Sequence, residues 1–234
     1  MPLLYYQAMK DSDSWYAEDN FYRIYYSGAS SKVAARFHRL LEKNRAQKFS
    51  DVLELGATHG HHLKFVNHPY EKYTLSDLRP SQALTAIAER NPRVSVLQID
   101  VTRLDSIESK SFDRLVLTCL LHHVSGPEYV IEELIRVTRP GGVIDILLPN
   151  DPSIFWNLGR LIFTVPKALR QGFTWKQYWD YVKLEHINGV KELQMMVRES
   201  VTRHKLRLEI DTWPFSQKFP LPLVYFRYSI VIPL

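Results

Sequence analysis

The stretch VLELGATHGHHL, residues 52–63, runs from an apolar segment into a glycine-containing turn that carries His59, His61 and His62. The apolar segment predicts a buried strand, and the glycines predict a turn whose backbone can approach a ligand closely. Two kinds of site fit such a segment. Either the histidines ligate a metal ion, or Glu54 and the glycines bind an organic cofactor. The rest of the chain decides between them.

The spacing of the histidines in this turn argues against a metal. A histidine site needs three or four ligands that converge at fixed distances. His61 and His62 are adjacent, so they point to different sides of any regular element, and no acidic residue closely follows the turn. We therefore expect no metal site, and we interpret these histidines as residues that face solvent or line a cofactor.

The composition is typical of a soluble globular protein, with 45% hydrophobic and 24% charged residues. Cys119 is the only cysteine, which excludes a disulfide framework and a cysteine-rich zinc site. No apolar run approaches the ~20 residues of a membrane-spanning helix, and the N-terminus lacks the features of a signal peptide. We expect a cytoplasmic protein.

The formal net charge of +5 is mild, and the basic residues are scattered along the chain. Such a balance is compatible with an anionic partner, such as a phosphate group or anionic lipid, without demanding one. Because the basic residues form no patch or run, we expect no nucleic-acid partner. The sequence leaves the oligomeric state open, and an oligomer is compatible with it.

Strand-like and helix-like segments alternate along the first two thirds of the chain. The strand-like segments are DVLELG, YTLSD, VSVLQID, DRLVLTCLL and VIDILLP, at 51–56, 73–77, 94–100, 113–121 and 143–149. Runs such as LVLTCLL show little alternation of apolar and polar residues, as expected of strands buried on both faces. The pattern predicts an α/β fold with a doubly wound, mostly parallel sheet and helices on both faces.

Helix boundaries are predicted from capping residues and from proline. One helix begins near Ser30, with Ser30 or Ser31 as its N-cap, and HLKFVNHP forms a short helix that ends at Pro69. The segment PEYVIEELIRVTRPGG predicts a helix that is capped by Gly141 and Gly142.

We expect a single domain with four parts. They are an N-terminal helical cap at 1–48, a cofactor-binding core at 49–149, an insert over the ligand edge of the sheet at 150–187, and a C-terminal helix with strands at 188–234. The cap is rich in tyrosine, and its aromatic residues form either a lid or ordinary core. The tyrosines concerned are Tyr16, Tyr22, Tyr25 and Tyr26.

Carboxylates stand at the ends of three predicted strands, where an open parallel sheet binds its ligands. Glu54, Asp77 and Asp100 occupy these positions. A buried carboxylate needs a hydrogen-bonding partner, and a nucleoside-type ligand offers a ribose diol and amino groups. The G-x-G-x-x-G spacing of a dinucleotide site is missing, and Glu54 would repel a pyrophosphate. We therefore expect a nucleoside-type ligand that carries an amino group or a positive charge.

At this point the sequence resembles the class I S-adenosylmethionine-dependent methyltransferases. ELGATHG at 54–60 is similar to their E/D-x-G-x-G-x-G loop, with Thr58 in place of the middle glycine. The segments that end at Asp77 and Asp100 resemble the acids of the second and third strands. FDRLVLTCLLHHV and ELIRVTRPGGVIDILLP are similar to the fourth strand and to the helix, turn and fifth strand that follow it.

The resemblance implies the Rossmann-like, seven-stranded methyltransferase fold, with S-adenosylmethionine as cofactor and S-adenosylhomocysteine as product. It implies that Asp77 bonds the ribose hydroxyls and that Asp100 lies near the adenine. The cofactor-binding residues that it implies are Glu54, Leu55, Gly56, Ala57, Gly60, Asp77, Leu78, Asp100, Val101 and Thr118.

Two histidines are candidates for catalysis. His123 follows the fourth strand, where the resemblance places the methyl acceptor, and His186 follows the insert. A neutral imidazole suits a general base that takes a proton from an acceptor hydroxyl. Packing and cofactor lining are the alternative roles. Cys119 is interpreted as a small buried apolar residue, since methyl transfer needs no enzyme nucleophile.

The insert carries the only information on the methyl acceptor. Between residues 152 and 179 it has no Asp or Glu, and its basic residues stand among aromatic ones. These basic residues are Arg160, Lys167, Arg170 and Lys176. Aromatic rings stack on sugars or fatty chains, and basic groups attract phosphate or carboxylate. Peripheral contact with anionic lipid, or a lid with a small core of its own, fits the same composition.

The leading hypothesis is an enzyme that methylates an oxygen of a sugar or glycan-linked, anionic small molecule. A second is methylation of a quinone-like or other lipophilic metabolite. A third, from another class, is a cofactor-binding partner subunit without transfer activity.

Overall fold

The computed structural model describes residues 23–214 and 225–234, and a seven-stranded sheet forms its centre. The strands are β1 Phe49–Leu55, β2 Tyr70–Asp77, β3 Val94–Gln98, β4 Phe112–Thr118, β5 Thr138–Pro149, β6 Arg207–Trp213 and β7 Tyr225–Val231. They lie in the order β3-β2-β1-β4-β5-β7-β6, and β7 runs antiparallel to β5 and β6. The other neighbouring strands are parallel. The predicted doubly wound, mostly parallel sheet is confirmed.

Helices cover both faces of the sheet. They are α1 Gly28–Leu41, α2 Gln82–Arg90, α3 Pro127–Val137, α4 Ile154–Gly159, α5 Val165–Arg170, α6 Trp175–Glu185 and α7 Val190–Arg203, with a π-helical segment Arg160–Thr164 between α4 and α5. Apolar residues of α3 and α7, such as Leu134 and Val197, pack in one core layer with Leu115 and Ile146 of the sheet. Residues of α1 and α2 pack in the other layer.

The order of the strands locates the ligand edge. The chain moves outward from β1 to β3 in one direction, and then from β4 to β5 in the other, so the direction reverses between β1 and β4. In open α/β sheets the ligand crevice lies beyond the carboxyl ends of the strands at this reversal. The residues that follow Leu55 and Thr118 therefore meet at the expected site.

The prediction of a short helix over HLKFVNHP is wrong. Within this segment, Leu63–Phe65 forms one 3₁₀ turn and the rest is irregular. The reason lies in two buried histidines. His62 Nε2 is 3.0 Å and His68 Nε2 is 4.0 Å from the carboxylate of Glu42. Residues six positions apart lie on different faces of a helix, so both contacts require irregular backbone.

The predicted boundaries of two helices also need correction. Ser30 does not cap α1, because its hydroxyl donates back to the carbonyls of Ile24 and Ser27, and the helix already begins at Gly28. At the other helix, Gly141 and Gly142 do not form a C-cap. The backbone becomes extended at Thr138, where β5 begins, so both glycines lie within that strand.

A buried group of charged side chains joins the end of α1 to strands β4 and β5. Arg114 Nε is 3.1 Å from Asp145 Oδ2, and Arg114 Nη2 is 2.8 Å from Glu42 Oε1. Arg45 donates two further bonds to Asp145, at 2.9 and 2.7 Å. All four side chains are buried. Burial raises the pKa of both carboxyls, but their partners outweigh it. The hydrogen bond with His62 and the Arg114 guanidinium lower the pKa of Glu42 to about 2, and Arg114 and Arg45 lower that of Asp145 to about 2.

Part of the sequence prediction falls outside the described residues. Tyr16 and Tyr22 of the N-terminal cap lie there. Within residues 23–214 and 225–234, no helix has the length and apolarity required to cross a lipid bilayer.

Candidate functional site

The turn after β1 is built on left-handed backbone. Gly56 has a φ of +71°, and a Cβ at this position would lie 3.0 Å from Leu120 Cδ1. Thr58 also has a positive φ, of +52°, which is uncommon for a residue other than glycine. Its backbone N–H donates to Asp77 Oδ2 at 2.9 Å, and this bond fixes the turn to the end of β2. The threonine in place of a middle glycine is thus accommodated by the strand-end acid.

Asp77 lies at the ligand edge with its carboxylate oriented by backbone groups. Besides the bond from Thr58, Asp77 Oδ1 accepts from the backbone N–H of Arg79 at 3.1 Å. Each oxygen keeps a second lone pair for another donor. The carboxylate is therefore held in place and can still accept bonds from a ligand diol.

Asp100 follows β3 and is half-buried. Its Oδ1 accepts from the backbone N–H of Thr102 at 2.9 Å and from the Thr102 hydroxyl at 2.7 Å. In the described part of the chain, Oδ2 has no hydrogen-bond partner. This arrangement combines the turn-capping role of an Asp with a free acceptor that lines the site.

Glu54 is buried at the end of β1, and Tyr73 donates its hydroxyl to Glu54 Oε2 at 2.8 Å. Burial raises the pKa of this carboxyl, while nearby His62 and the Tyr73 bond work in the opposite direction. A buried carboxyl of this kind favours a cationic ligand group, because such a group would relieve its desolvation.

A cavity of about 1120 Å³ opens at this edge of the sheet, within the described part of the chain. Every cofactor residue predicted from the sequence lines it, except Gly60. Gly60 instead packs against α2, where a Cβ would come 2.6 Å from Ile87 Cδ1, so its role is close packing of the turn. Thr118 Oγ1 is buried at the wall with no hydrogen-bond partner among the described residues.

The histidines of the turn diverge to different partners. His62 is buried beside Glu42, and its Nδ1 is 3.2 Å from His38 Nδ1. The ring of His61 stacks on that of Tyr26, with 3.9 Å between centroids. Burial and nearby positive charge lower the pKa of His61 to about 4, so it is neutral at pH 7. These histidines line the cavity wall.

Three other histidines converge on the far side of the cavity. His122 and His123 form the turn after β4, and His186 follows α6. Their ring centroids lie 3.9, 4.4 and 4.9 Å apart, and all three line the cavity. Burial lowers the pKa of His122 well below its usual value and that of His123 to about 3. Both are therefore neutral imidazoles at pH 7.

Hydrogen bonds orient two of these rings. His123 Nδ1 lies 2.8 Å from the backbone carbonyl of Glu185, which makes it a donor. His186 Nδ1 bonds the carboxylate of Asp151. In both histidines the remaining Nε2 then carries a lone pair. The structure thus brings together the two histidines predicted from the sequence.

Sequence reasoning named Arg160 only as a basic residue of the insert, and it missed Asp151. Arg160 donates two bonds to Asp151, at 2.9 and 2.6 Å, and both side chains are buried. Asp151 stands two residues beyond the end of β5, so the strand-end pattern that selected Asp77 and Asp100 also points to it.

The insert forms one wall of the cavity and also has a small core of its own. The apolar and aromatic residues of the insert that line the cavity are Phe155, Trp156, Leu158, Ile162, Phe163 and Tyr181. A separate core joins Ile24 to Val165, Ala168, Tyr178, Tyr181 and Val182. Three of the four basic residues bind other groups of the protein. Arg160 pairs with Asp151, Lys167 donates to the Ile24 and Ser27 carbonyls, and Lys176 pairs with Asp180 at the surface.

Comparison with known proteins agrees with this geometry. A family model described as a methyltransferase domain matches residues 53–146, from β1 into β5. Among curated proteins, none matches the sequence significantly.

Solved structures of methyltransferases share the fold. The N-methyltransferase NodS of Bradyrhizobium japonicum WM9, in complex with S-adenosylhomocysteine, matches over 97% of this chain and 99% of its own, at 16% identity and a TM-score of 0.61. The 1,6-didemethyltoxoflavin-N1-methyltransferase of Burkholderia thailandensis matches over 100% of this chain and 92% of its own, at 15% identity and a TM-score of 0.62. An O-methyltransferase family protein of the same species matches over 97% of this chain and 62% of its own, at 18% identity and a TM-score of 0.60. Likenesses at this level of identity concern the fold.

The matching domain model and the sheet agree with each other. Residues 53–146 match a methyltransferase domain, and the chain shares its fold with solved methyltransferases. The residues at this edge fit S-adenosylmethionine, the cofactor that the resemblance implies: the turn at Gly56 leaves the backbone open to a ligand, and the free lone pairs of Asp77 and Asp100 suit hydroxyl and amino donors.

Proposed function

We propose that this methyltransferase transfers a methyl group to a hydroxyl oxygen of a sugar or glycan-linked small molecule. The observation that carries the proposal is the pairing of His186 with Asp151 on the cavity wall. An alcohol holds its proton tightly, so its methylation benefits from a base, whereas a more nucleophilic amine needs less help.

The cofactor is proposed to bind on the side of β1, β2 and β3. When bound, S-adenosylmethionine supplies an electrophilic methyl group on a sulfonium. Asp77 is proposed to accept bonds from the ribose hydroxyls, Asp100 to lie at the adenine, and Glu54 to face the amino group. The rest of this side of the cavity is proposed to be formed by Leu55, Gly56, Ala57, Leu78, Val101 and Thr118. Gly60 is proposed only as a support of the turn.

The acceptor is proposed to bind between this side and the histidines. His186 is the stronger candidate for the base, because its Nδ1 donates to Asp151, which orients the ring and leaves Nε2 to accept a proton. His123 is a weaker base, since its pKa is lowered to about 3 by burial and by His186. Its proposed role is to contact the acceptor oxygen through Nε2.

The aromatic wall supports a sugar acceptor. Trp156 and Tyr181 line the cavity on the insert side, and flat aromatic rings stack on the apolar faces of sugars. An anionic group on the acceptor has less support, because Arg160 and Lys167 are already engaged.

A lipophilic acceptor is the second candidate, and a specific feature favours it. Phe155 and Ile162 line the cavity and remain 51% and 57% exposed, so the mouth of the site has an apolar rim. A quinone-like ring or a lipid chain would bury this surface.

Calorimetric titration of S-adenosylmethionine and S-adenosylhomocysteine tests the cofactor site first. We expect micromolar binding by the wild type and at least ~10-fold weaker binding by Asp77→Asn and Glu54→Gln, which lose a charged acceptor. Asp105→Asn is the control, because Asp105 is exposed and lies outside the cavity. Absence of binding by the wild type would overturn the proposal.

Transfer of a labelled methyl group to sugar and lipophilic acceptors then separates the candidates. Incorporation into sugars supports the leading proposal, and incorporation into quinone-like compounds alone supports the second. Cofactor binding without transfer to any acceptor would favour a cofactor-binding partner subunit.

A further inference from the structure

We propose that His122, His123 and His186 bind one divalent transition-metal ion of the Zn²⁺ kind at the acceptor side of the cavity. This inference goes beyond the methyl transfer, which requires no metal. It also differs from the metal site weighed in the sequence analysis, which concerned the histidines of the β1 turn.

The first argument is convergence. One potential ligand nitrogen from each of the three rings lies within 4.8 Å of the others. Nitrogens bound at ~2.1 Å to one ion lie roughly 3–3.5 Å apart, so the ion would draw the widest pair closer by small side-chain rotations. Three imidazole ligands with further positions open are a common arrangement of catalytic zinc sites.

The second argument is the hydrogen bonding behind the rings. A metal-bound histidine nearly always donates its other ring N–H to a carboxylate or a backbone carbonyl. His186 donates to the carboxylate of Asp151, and His123 donates to the carbonyl of Glu185. These partners leave the Nε2 lone pairs of both rings for a ligand. His122 Nδ1 is buried without a hydrogen-bond partner among the described residues, which is costly unless something binds it.

The third argument concerns charge. Arg160 Nη2 lies 3.0 Å from His186 Nδ1 and by itself would repel a cation. Its guanidinium is neutralised by two bonds to Asp151, so the pair adds no net charge beside the rings. Neutral imidazoles in a partly apolar wall match Zn²⁺ and similar ions better than Mg²⁺ or Ca²⁺, which prefer oxygen ligands.

The site would face the acceptor. All three histidines line the cavity, so the open positions of a bound ion would point into it. A hydroxyl that occupies such a position becomes more acidic. With an ion in place, His123 and His186 would act as ligands, and the ion would take over from His186 the task of loosening the hydroxyl proton. This consequence rests on the proposed function, whereas metal binding itself does not.

Metal binding by the untagged full chain tests the inference without any knowledge of the acceptor. The protein is stripped with a chelator and titrated with Co²⁺, with the visible absorption of the ion as readout, and with Zn²⁺ in competition. We expect one equivalent to bind. His123→Gln and His186→Gln should each weaken binding at least ~10-fold, and Asp151→Asn about 10–100-fold through the lost orientation of His186.

His61→Gln is the matched control, because His61 lines the same cavity but stacks on Tyr26 outside the cluster. It should bind Co²⁺ like the wild type. S-adenosylhomocysteine titration of every variant shows whether the cofactor side is intact. No binding of Co²⁺ by the wild type, or equal binding by all variants, would overturn the inference and leave the proposed function in place. Loss of binding in His61→Gln alone would place the ion elsewhere and would also overturn it.

Discussion

His186 Nδ1 donates to the carboxylate of Asp151, and the His186 ring lines the cavity at the ligand edge of the sheet. Arg160 holds the same carboxylate with two bonds, so its position is fixed from both sides. This pairing sets the protonated nitrogen of His186 and directs Nε2 away from the carboxylate. The relationship serves a proton acceptor and a metal ligand equally well, because both require an unprotonated Nε2.

Replacement of Asp151 by Asn should reduce methyl transfer by roughly 10²–10⁴-fold, the range in which a positioned base contributes to catalysis. The amide retains the shape but not the charge, so His186 loses its preference for the Nδ1–H tautomer. Nitrogen NMR of the imidazoles reports the tautomer without an acceptor.

Asp180→Asn is the control for this variant, because Asp180 is a partly exposed acid on α6 that pairs with Lys176. It should leave the tautomer of His186 and the transfer rate unchanged. An unaltered tautomer in Asp151→Asn would contradict the assignment of Asp151 as the orienting group.

Replacement of Gly56 by Ala should weaken cofactor binding and lower the free energy of unfolding. Left-handed backbone costs an L-residue about 1–2 kcal/mol, and the added methyl group would press on Leu120. Gly126 has a similar φ of +65° with open space around its Cβ direction. Gly126→Ala should therefore show a comparable loss of stability, but unchanged affinity for S-adenosylhomocysteine.

Urea unfolding and calorimetry measure the two quantities separately. If both variants kept full affinity for S-adenosylhomocysteine, the turn at Gly56 would not lie against the cofactor.

The cofactor half of the fold could be predicted because its signals are local. Each buried strand and the carboxylate at its end lie within a few residues, as at Glu54 and Asp77, and parallel strands bring such ends to one edge. Gly60 shows the limit of this logic, since glycine spacing does not reveal whether a glycine faces a ligand or packs against a helix such as α2.

The acceptor side could be predicted only in part. His123 and His186 were selected singly, but their meeting depends on the path of the insert, which has no periodic pattern strong enough to fix it. The same holds for Arg160 and Lys167. The composition of the insert predicts a basic surface. In the folded chain, however, Arg160 donates to Asp151 and Lys167 donates to backbone carbonyls.

The buried charged group that joins α1 to β4 and β5 should make the stability of the protein sensitive to acid. The pKa values of Glu42 and Asp145 are about 2 in the folded chain, below their ordinary values of 4.5 and 3.8. A lowered pKa contributes stability in full above the unfolded value, and this stability is lost as the pH falls toward the folded value. Each group should contribute on the order of 2–3 kcal/mol at neutral pH.

We expect the free energy of unfolding, measured in urea, to decline between about pH 5 and pH 2. Glu42→Gln should be less stable at pH 7, because it leaves Arg114 with one charged partner fewer, and its decline with acid should be shallower. Glu71→Gln is the control, since Glu71 pairs with Lys48 on the surface and should keep the wild-type slope. Equal slopes in all three proteins would show that Glu42 titrates alike in the folded and unfolded chains, contrary to the buried ion pair with Arg114.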